Sequence, residues 1–227
     1  MSQAQPQVGP GSGVWPMYRA MVGVGLGCGL LIVAVFQLTR PVIERNEAEA
    51  LQRAIFQVLP AAQASVAFRR SEQGWRAVAE GESGAGPLVY AAYDAEQRLV
   101  GVAVEARQMG YQDVIRLLYG YSPGDEAIVG IRVLESRETP GLGDRIEKDP
   151  DFLANFERLD VSLAPDGGSL VHAIEAVKHG EKEQPWQVDG ITGATISSVA
   201  VANALARSAA HWVPLIERDL DDFRRAD

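Results

Sequence analysis

The sequence predicts an α+β fold, with one N-terminal transmembrane helix followed by a mostly antiparallel sheet domain with flanking helices. Three observations carry that expectation. A nineteen-residue apolar run lies near the start, short apolar segments punctuated by turn residues follow it, and an Ala-rich stretch with helical spacing comes last. Strands gathered first and a long helix late indicate an antiparallel sheet rather than alternating βαβ units.

Residues 1–19 are rich in Gly, Pro, Gln and Ser and read as a disordered tail. Residues 20–39 form the expected span: Ala20 to Leu38 reads AMVGVGLGCGLLIVAVFQL, with Gln37 its one strongly polar member and Arg19 and Arg40 at its ends. At the rise of an α-helix this run is ~28 Å long, close to the hydrocarbon thickness of a bilayer. The rival reading is a cleaved signal peptide, but the run exceeds a normal signal core and no Ala-x-Ala-like exit precedes Arg40. Gly23 with Gly27 and Gly25 with Gly29 are small-xxx-small pairs. They admit close approach by another membrane helix, or simply the frequency of glycine in such helices.

Residues 40–64 read as an amphipathic linker helix, with Ile43, Leu51, Ile55 and Val58 at helical spacing and Pro60 as its stop. Residues 65–227 form the body. Val66 to Phe68, Trp75 to Ala79, Leu88 to Tyr93, Leu99 to Ala106 and Ala127 to Glu135 are expected strands. Tyr111 to Tyr121 fits a strand or a helical turn. Asp149 to Phe156 predicts a short helix with Asp149 as cap and Pro150 in first position. Leu170 to Ala176 is a further strand candidate, and Ile196 to His211 a helix ended or kinked by Pro214.

Formal charge is −9 over the 227 residues. Residues 1–39 hold one Arg and no Asp or Glu, leaving 20 basic and 30 acidic residues beyond. So acidic a body is a poor match for a nucleic-acid backbone. The single cysteine, Cys28, excludes an intramolecular disulfide, and His172, His179 and His211 lack the companions of a metal site. A literal count of flanking positive charge puts the body in the cytoplasm, but long domains cross largely regardless of such charge.

The segment that carries chemistry is Val188 to Ser198, VDGITGATISS. Thr192 is the expected cap of the last helix, with Gly193, Ala194 and Thr195 in its first turn. There, unpaired backbone N–H groups and the helix dipole attract anions, and Gly193 permits close approach of a phosphate. On local physics alone an ordinary Thr-capped helix start explains the same letters.

Two motifs change that weighting. Asp189-Gly190-Ile191-Thr192-Gly193-Ala194-Thr195 resembles the D-G-x-[ST]-G-A-T signature on which a flavin transferase esterifies FMN to the final Thr. Glu138-Thr139-Pro140-Gly141-Leu142-Gly143 resembles the ETPGLG loop of the same FMN-binding family. With the single anchor, the chain resembles the G subunit of the Rnf ion-translocating electron transport complexes and, more distantly, the C subunit of the sodium-pumping NADH:quinone reductase. Where relatives often have a His two residues before the Glu of ETPGLG, this chain has Ser136.

The resemblance implies a membrane-anchored flavoprotein subunit without independent turnover, relaying electrons among neighbouring membrane subunits. Its implied cofactor is FMN, held by a covalent phosphoester to Thr195. Glu138, Thr139, Gly141, Leu142, Gly143, Thr192, Gly193 and Ala194 are the implied binding residues, with the amides of Gly193 and Ala194 and the Thr192 hydroxyl on the phosphate. Asp189 and Gly190 serve recognition by the transferase. The implied location is the bacterial inner membrane, with the flavin domain in the periplasm. Two readings from other classes are a tethered assembly module without flavin and a free-standing extracytoplasmic flavin reductase.

Overall fold

The computed structural model describes residues 14–71, 74–78 and 86–224. Most of the expected tail (1–13) and Ala79 at the end of an expected strand lie outside these residues. The chain divides into two compact units, 1–49 and 50–227.

Helix α1 runs Trp15–Val58, so the expected span and the expected amphipathic segment form one helix. Among the described residues it is the one helix long and apolar enough to cross a membrane, judged by length and composition. Pro41 lies inside it. Proline has no N–H for the preceding turn. Just before it, the Thr39 hydroxyl donates to the Val35 carbonyl at 2.9 Å, and Arg40 pairs with Glu44 one turn on.

The second unit is built on a seven-stranded sheet in the order β2-β1-β3-β4-β5-β6-β7. Its strands are β1 (Ala64–Ser71), β2 (Gly74–Val78), β3 (Leu88–Tyr93), β4 (Leu99–Met109), β5 (Val114–Ser122), β6 (Ala127–Glu135) and β7 (Leu159–Asp160), and every pairing is antiparallel. The ambiguous stretch Tyr111 to Tyr121 is therefore strand. Its alternation is hidden because Leu117 to Tyr121 are buried on both faces.

Helix α3 (Thr195–Arg218) covers one face with Val201, Leu205, Val213 and Ile216 fully buried, each contributing about 1.5–3 kcal/mol by transfer from water. Pro214 sits inside α3 without ending it. Helix α2 (Pro150–Ala154) packs Phe152 and Phe156 edge to face, and Asp149 caps it as expected, accepting from the Phe152 amide. A last short helix, α4 (Leu220–Arg224), closes this face with Phe223 against Phe68 and Trp75.

The opposite face receives the end of α1. Gly120 pairs with Gly130, and Gly101 lies one strand over. A Cβ on Gly120 would stand 2.5 Å from the Val58 carbonyl oxygen, one on Gly130 3.0 Å from the same oxygen, and one on Gly101 2.7 Å from Leu59. Three glycines on neighbouring strands thus form a trough for Val58 and Leu59, with Ala92, Ala103 and Leu118 around it.

A separate parallel pair joins β8 (Glu175–Val177) to β9 (Gln187–Asp189). The expected strand Leu170 to Ala176 is reduced to this short β8, and Leu170 makes only a single bridge to Leu163. Strand β9 delivers Asp189 to the loop before α3.

Candidate functional site

Three connections converge beside the start of α3: Gly110–Asp113 between β4 and β5, Ser136–Leu142 after β6, and Gly190–Ala194 after β9. Glu138 ties the first two to the helix. Only 5% exposed, its carboxylate accepts from the amides of Tyr111 (3.2 Å) and Gln112 (3.0 Å) and from the Ser197 hydroxyl (2.5 Å). Burial alone would raise its pKa, but the hydrogen bonds from Ser197, Gln112 and Tyr111 outweigh this and hold the carboxyl below its ordinary value. Glycines make room for it. A Cβ on Gly110 would lie 2.6 Å from its Oε1, and one on Gly143 2.7 Å from its Oε2. Ser136 receives the Glu138 amide on its hydroxyl oxygen at 3.3 Å.

Beyond Glu138 the chain turns tightly. The Leu142 amide donates to the Thr139 carbonyl at 3.1 Å, and the Gly141 amide to Asp144 at 2.6 Å. Thr139 Oγ1 accepts from Gln112 Nε2 at 3.0 Å, leaving its own proton free to donate. A short 3-10 helix, Gly143–Glu147, follows.

The loop before α3 corrects the expected cap. Ala194, not Thr192, occupies the N-cap position, and no side chain caps the helix from there. Ser198 reaches back instead: its hydroxyl accepts from the Ile191 amide and donates to the Ala194 carbonyl. Gly193 takes a positive φ of 86°, a conformation that suits glycine. The Ala194 amide donates to the Ile191 carbonyl at 3.0 Å, so it is not available to a phosphate. The amides of Thr192, Gly193, Thr195, Ile196 and Ser197 make no hydrogen bond to the described residues, and the last four belong to residues at the helix start that line the cleft.

These groups border a cleft of about 330 Å³ lined by Tyr111, Glu138, Thr139, Leu142, Gly143, Gly193, Thr195, Ile196 and Ser197. Of the residues expected to hold a cofactor, Glu138, Thr139, Leu142, Gly143, Gly193 and Thr195 are thus brought together. Gly141, Thr192 and Ala194 are not in the lining: Gly141 is at the tip of its turn, Ala194 is buried, and Thr192 borders a second cleft behind the loop. Leu142 and Ile196 are 52% and 55% exposed and, with exposed Tyr111, line the same cleft, so these apolar side chains form a gathered patch rather than scattered surface residues.

The cleft behind, about 120 Å³, is lined by Arg145, Asp149, His179, Asp189 and Thr192 among others. Here the loop is tied down: Arg145 donates to the Thr192 carbonyl at 3.0 Å and pairs with Asp149. Asp189 accepts the Gly180 amide on its carboxylate at 2.7 Å.

Other aromatic and basic side chains separate by position. Tyr111 stands on the rim of the front cleft. Tyr121 is core, donating to Glu217, with burial and that carboxylate pushing its hydroxyl pKa well up. Trp186 stacks on His172 at 3.7 Å, away from the cleft lining. Arg132 lines a groove with Arg53 and Gln57. Sequence reasoning missed Ile196, Ser197 and Gln112 as parts of the site. Ile196 and Ser197 directly follow Thr195, so adjacency was their one local signal.

The residues fit an FMN phosphate: unpaired amides at a helix start, a hydroxyl beside them, no charge opposed to the anion except the hydrogen-bonded Glu138, and apolar side chains for a planar ring.

The FMN-binding domain family matches residues 110–210, which contain this cleft. The G subunit of the ion-translocating oxidoreductase complex from Methanosarcina acetivorans is 32% identical over 82% of this chain and 87% of its own. Its counterpart from Escherichia coli K12 is 34% identical over 78% and 81%. Among solved structures, NqrC of Shewanella oneidensis superposes with a TM-score of 0.61 at 19% identity, over 80% of this chain and all of that one. The C subunit of the sodium-translocating NADH-quinone reductase from Parabacteroides distasonis gives 0.56 at 19%, over 75% and 94%. The fold is thus the one those two structures share, and by sequence the chain belongs to the G-subunit family of ion-translocating oxidoreductase complexes.

Proposed function

We propose that this chain carries FMN as a phosphoester on Thr195 and relays electrons between neighbouring redox subunits of an Rnf-type ion-translocating complex. The observation that supports this best is that exposed Thr195 lines a cleft bordered by four unpaired amides. Residues 1–19 serve as a tail whose end, from Trp15, is already part of α1, 20–39 as the span within α1, 40–64 as the link and 65–227 as the flavin domain.

The amides of Gly193, Thr195, Ile196 and Ser197 hold the phosphate, a role the helix dipole reinforces. Thr139 donates its free hydroxyl proton into the cleft, while Leu142, Ile196 and Tyr111 exclude water from its rim. Glu138 acts through others: it fixes the amides of Tyr111 and Gln112 and the hydroxyl of Ser197. Bound FMN supplies redox chemistry that no side chain here possesses. Thr195 is a tether, and a covalent tether keeps the cofactor in place where free flavin is scarce. Asp189 and Gly190, locked by the Gly180 amide and by β8, present a fixed turn to the flavin transferase.

Helix α1 anchors the chain once in the inner membrane, with the domain in the periplasm. Protease added to spheroplasts should digest the domain, and protection would reverse the orientation.

The direct test is in-gel flavin fluorescence of the denatured protein, matured with the transferase. Wild type should fluoresce and Thr195→Ala should be dark. The peptide spanning Thr195 should gain the mass of FMN less one water. A bare peptide, or a fluorescent Thr195→Ala protein, overturns the assignment.

A further inference from the structure

A buried side chain outside both motifs holds the modification loop in shape. Asn155, the residue after α2, is 4% exposed. Its Oδ1 accepts the Asp189 amide at 3.0 Å, and its Nδ2 donates to the Asp189 carbonyl at 3.1 Å. This is the pair of bonds that a neighbouring strand would make with β9 on the edge that β8 leaves open. The second Nδ2 proton goes to the Phe152 carbonyl at 3.0 Å, and the second Oδ1 lone pair receives Lys182 Nζ at 3.1 Å. All four hydrogen-bonding positions of the amide are filled. Burial lowers the Lys182 pKa.

No other side chain of this size meets the same demand. Asp would turn both donors into acceptors facing two carbonyls, Leu would leave Asp189 unpaired on both sides, and Gln would overreach by a methylene. From Asp189 the constraint passes along a short loop. The Gly190 amide is fixed to the Val177 carbonyl, the Gly190 carbonyl lies 3.1 Å from His179 Nδ1, and the Thr192 carbonyl is held by Arg145.

We infer that Asn155 is a positioning residue for flavin attachment: it sets the backbone of Asp189 so that the turn after it presents Thr195 in the geometry the transferase requires. This rests on the reading that Thr195 is the attachment point. Asn155 is itself in the lining of neither cleft, and its effect is transmitted through the main chain of Asp189, which borders the second one.

The experiment uses the full-length chain in detergent with a purified flavin transferase and a flavin adenine dinucleotide: the Thr195 hydroxyl oxygen bonds the FMN phosphorus, the pyrophosphate P–O bond breaks, AMP leaves and the hydroxyl proton passes to a base of the transferase. It compares wild type, Thr195→Ala, Asn155→Asp, Asn155→Ala and Tyr119→Phe. The last removes a buried hydrogen bond to Ser208 in the core and serves as a stability control. Asn155→Asp and Asn155→Ala should lose about tenfold or more in kcat/KM for labelling, the scale of a misplaced reacting group. Tyr119→Phe should be labelled as wild type despite its lower melting temperature. Labelling of Asn155→Asp at the wild-type rate overturns the inference, as does a loss that merely tracks melting temperature across all three variants.

Amide hydrogen exchange separates the two readings. If wild type is not labelled at all, or Thr195→Ala is, the attachment reading fails. Faster exchange at Asp189 and Gly190 in Asn155→Ala, with β5 unchanged, then still supports the positioning role, and unchanged exchange removes it.

Discussion

The two sides of the loop between β9 and α3 are finished to different degrees. Behind it the Thr192 carbonyl, the Gly190 amide and both main-chain groups of Asp189 are bonded, to Arg145, Val177 and Asn155. In front, four amides and two exposed apolar side chains face a cleft with no protein partner among the described residues. The difference teaches where binding capacity comes from. Unfilled donors keep a fixed direction only when the backbone that bears them is fully bonded elsewhere, which is preorganisation in structural form.

Variants of the frame should cost stability, and variants of the front should cost only ligand. Largest is Glu138→Ala, which strands the Tyr111 and Gln112 amides and the Ser197 hydroxyl and should lower unfolding free energy by about 3 kcal/mol in urea titration. Next, Gly143→Ala would set a Cβ 2.7 Å from Glu138 and 2.8 Å from Ser197, an overpacking that costs about 2 kcal/mol and shows as a lower melting temperature.

Glu138→Gln keeps the shape and loses the charge, at about 1 kcal/mol near neutral pH. Its folded pKa lies below the ordinary value of 4.5. The wild-type contribution is therefore complete above that pH and is lost as pH falls through the folded value. The gap between wild type and Glu138→Gln should narrow on acidification, and a constant gap would mean the hydrogen bonds do not favour the carboxylate.

The smallest stability effect belongs to the front. Leu142→Ser should change unfolding by less than about 0.5 kcal/mol. On the proposed reading it should nevertheless shift the fluorescence of the flavin toward that of flavin in water, and an unchanged spectrum would place the ring elsewhere.

Much of the frame is readable in local patterns because local rules govern it. Asp149-Pro150 marks the start of α2, and alternation marks β4. The site's two motifs are readable as strings, but their division of labour is not. Glu138 reads as a cleft residue, which its place in the lining matches, but its bracing of the Tyr111 and Gln112 amides and the Ser197 hydroxyl is not legible, since those partners are distant in sequence. Thr192 looks like a cap, yet Ser198 answers the loop from the far side of the first turn. Asn155 in DPDFLANF carries no local mark at all, because its significance lies in a strand more than thirty residues away. Pattern reading fails where a polar group is satisfied by a tertiary partner.

The glycine trough under Val58 and Leu59 has a practical outcome for anyone wishing to separate the sheet unit from the apolar stretch of α1. Cutting after Leu59 would strip the backs of three strands and leave Ala92, Ala103 and Leu118 wet, inviting aggregation. A fragment starting near Ala50 retains its own lid, so the sensible place for the scissors is inside the long helix rather than at its end.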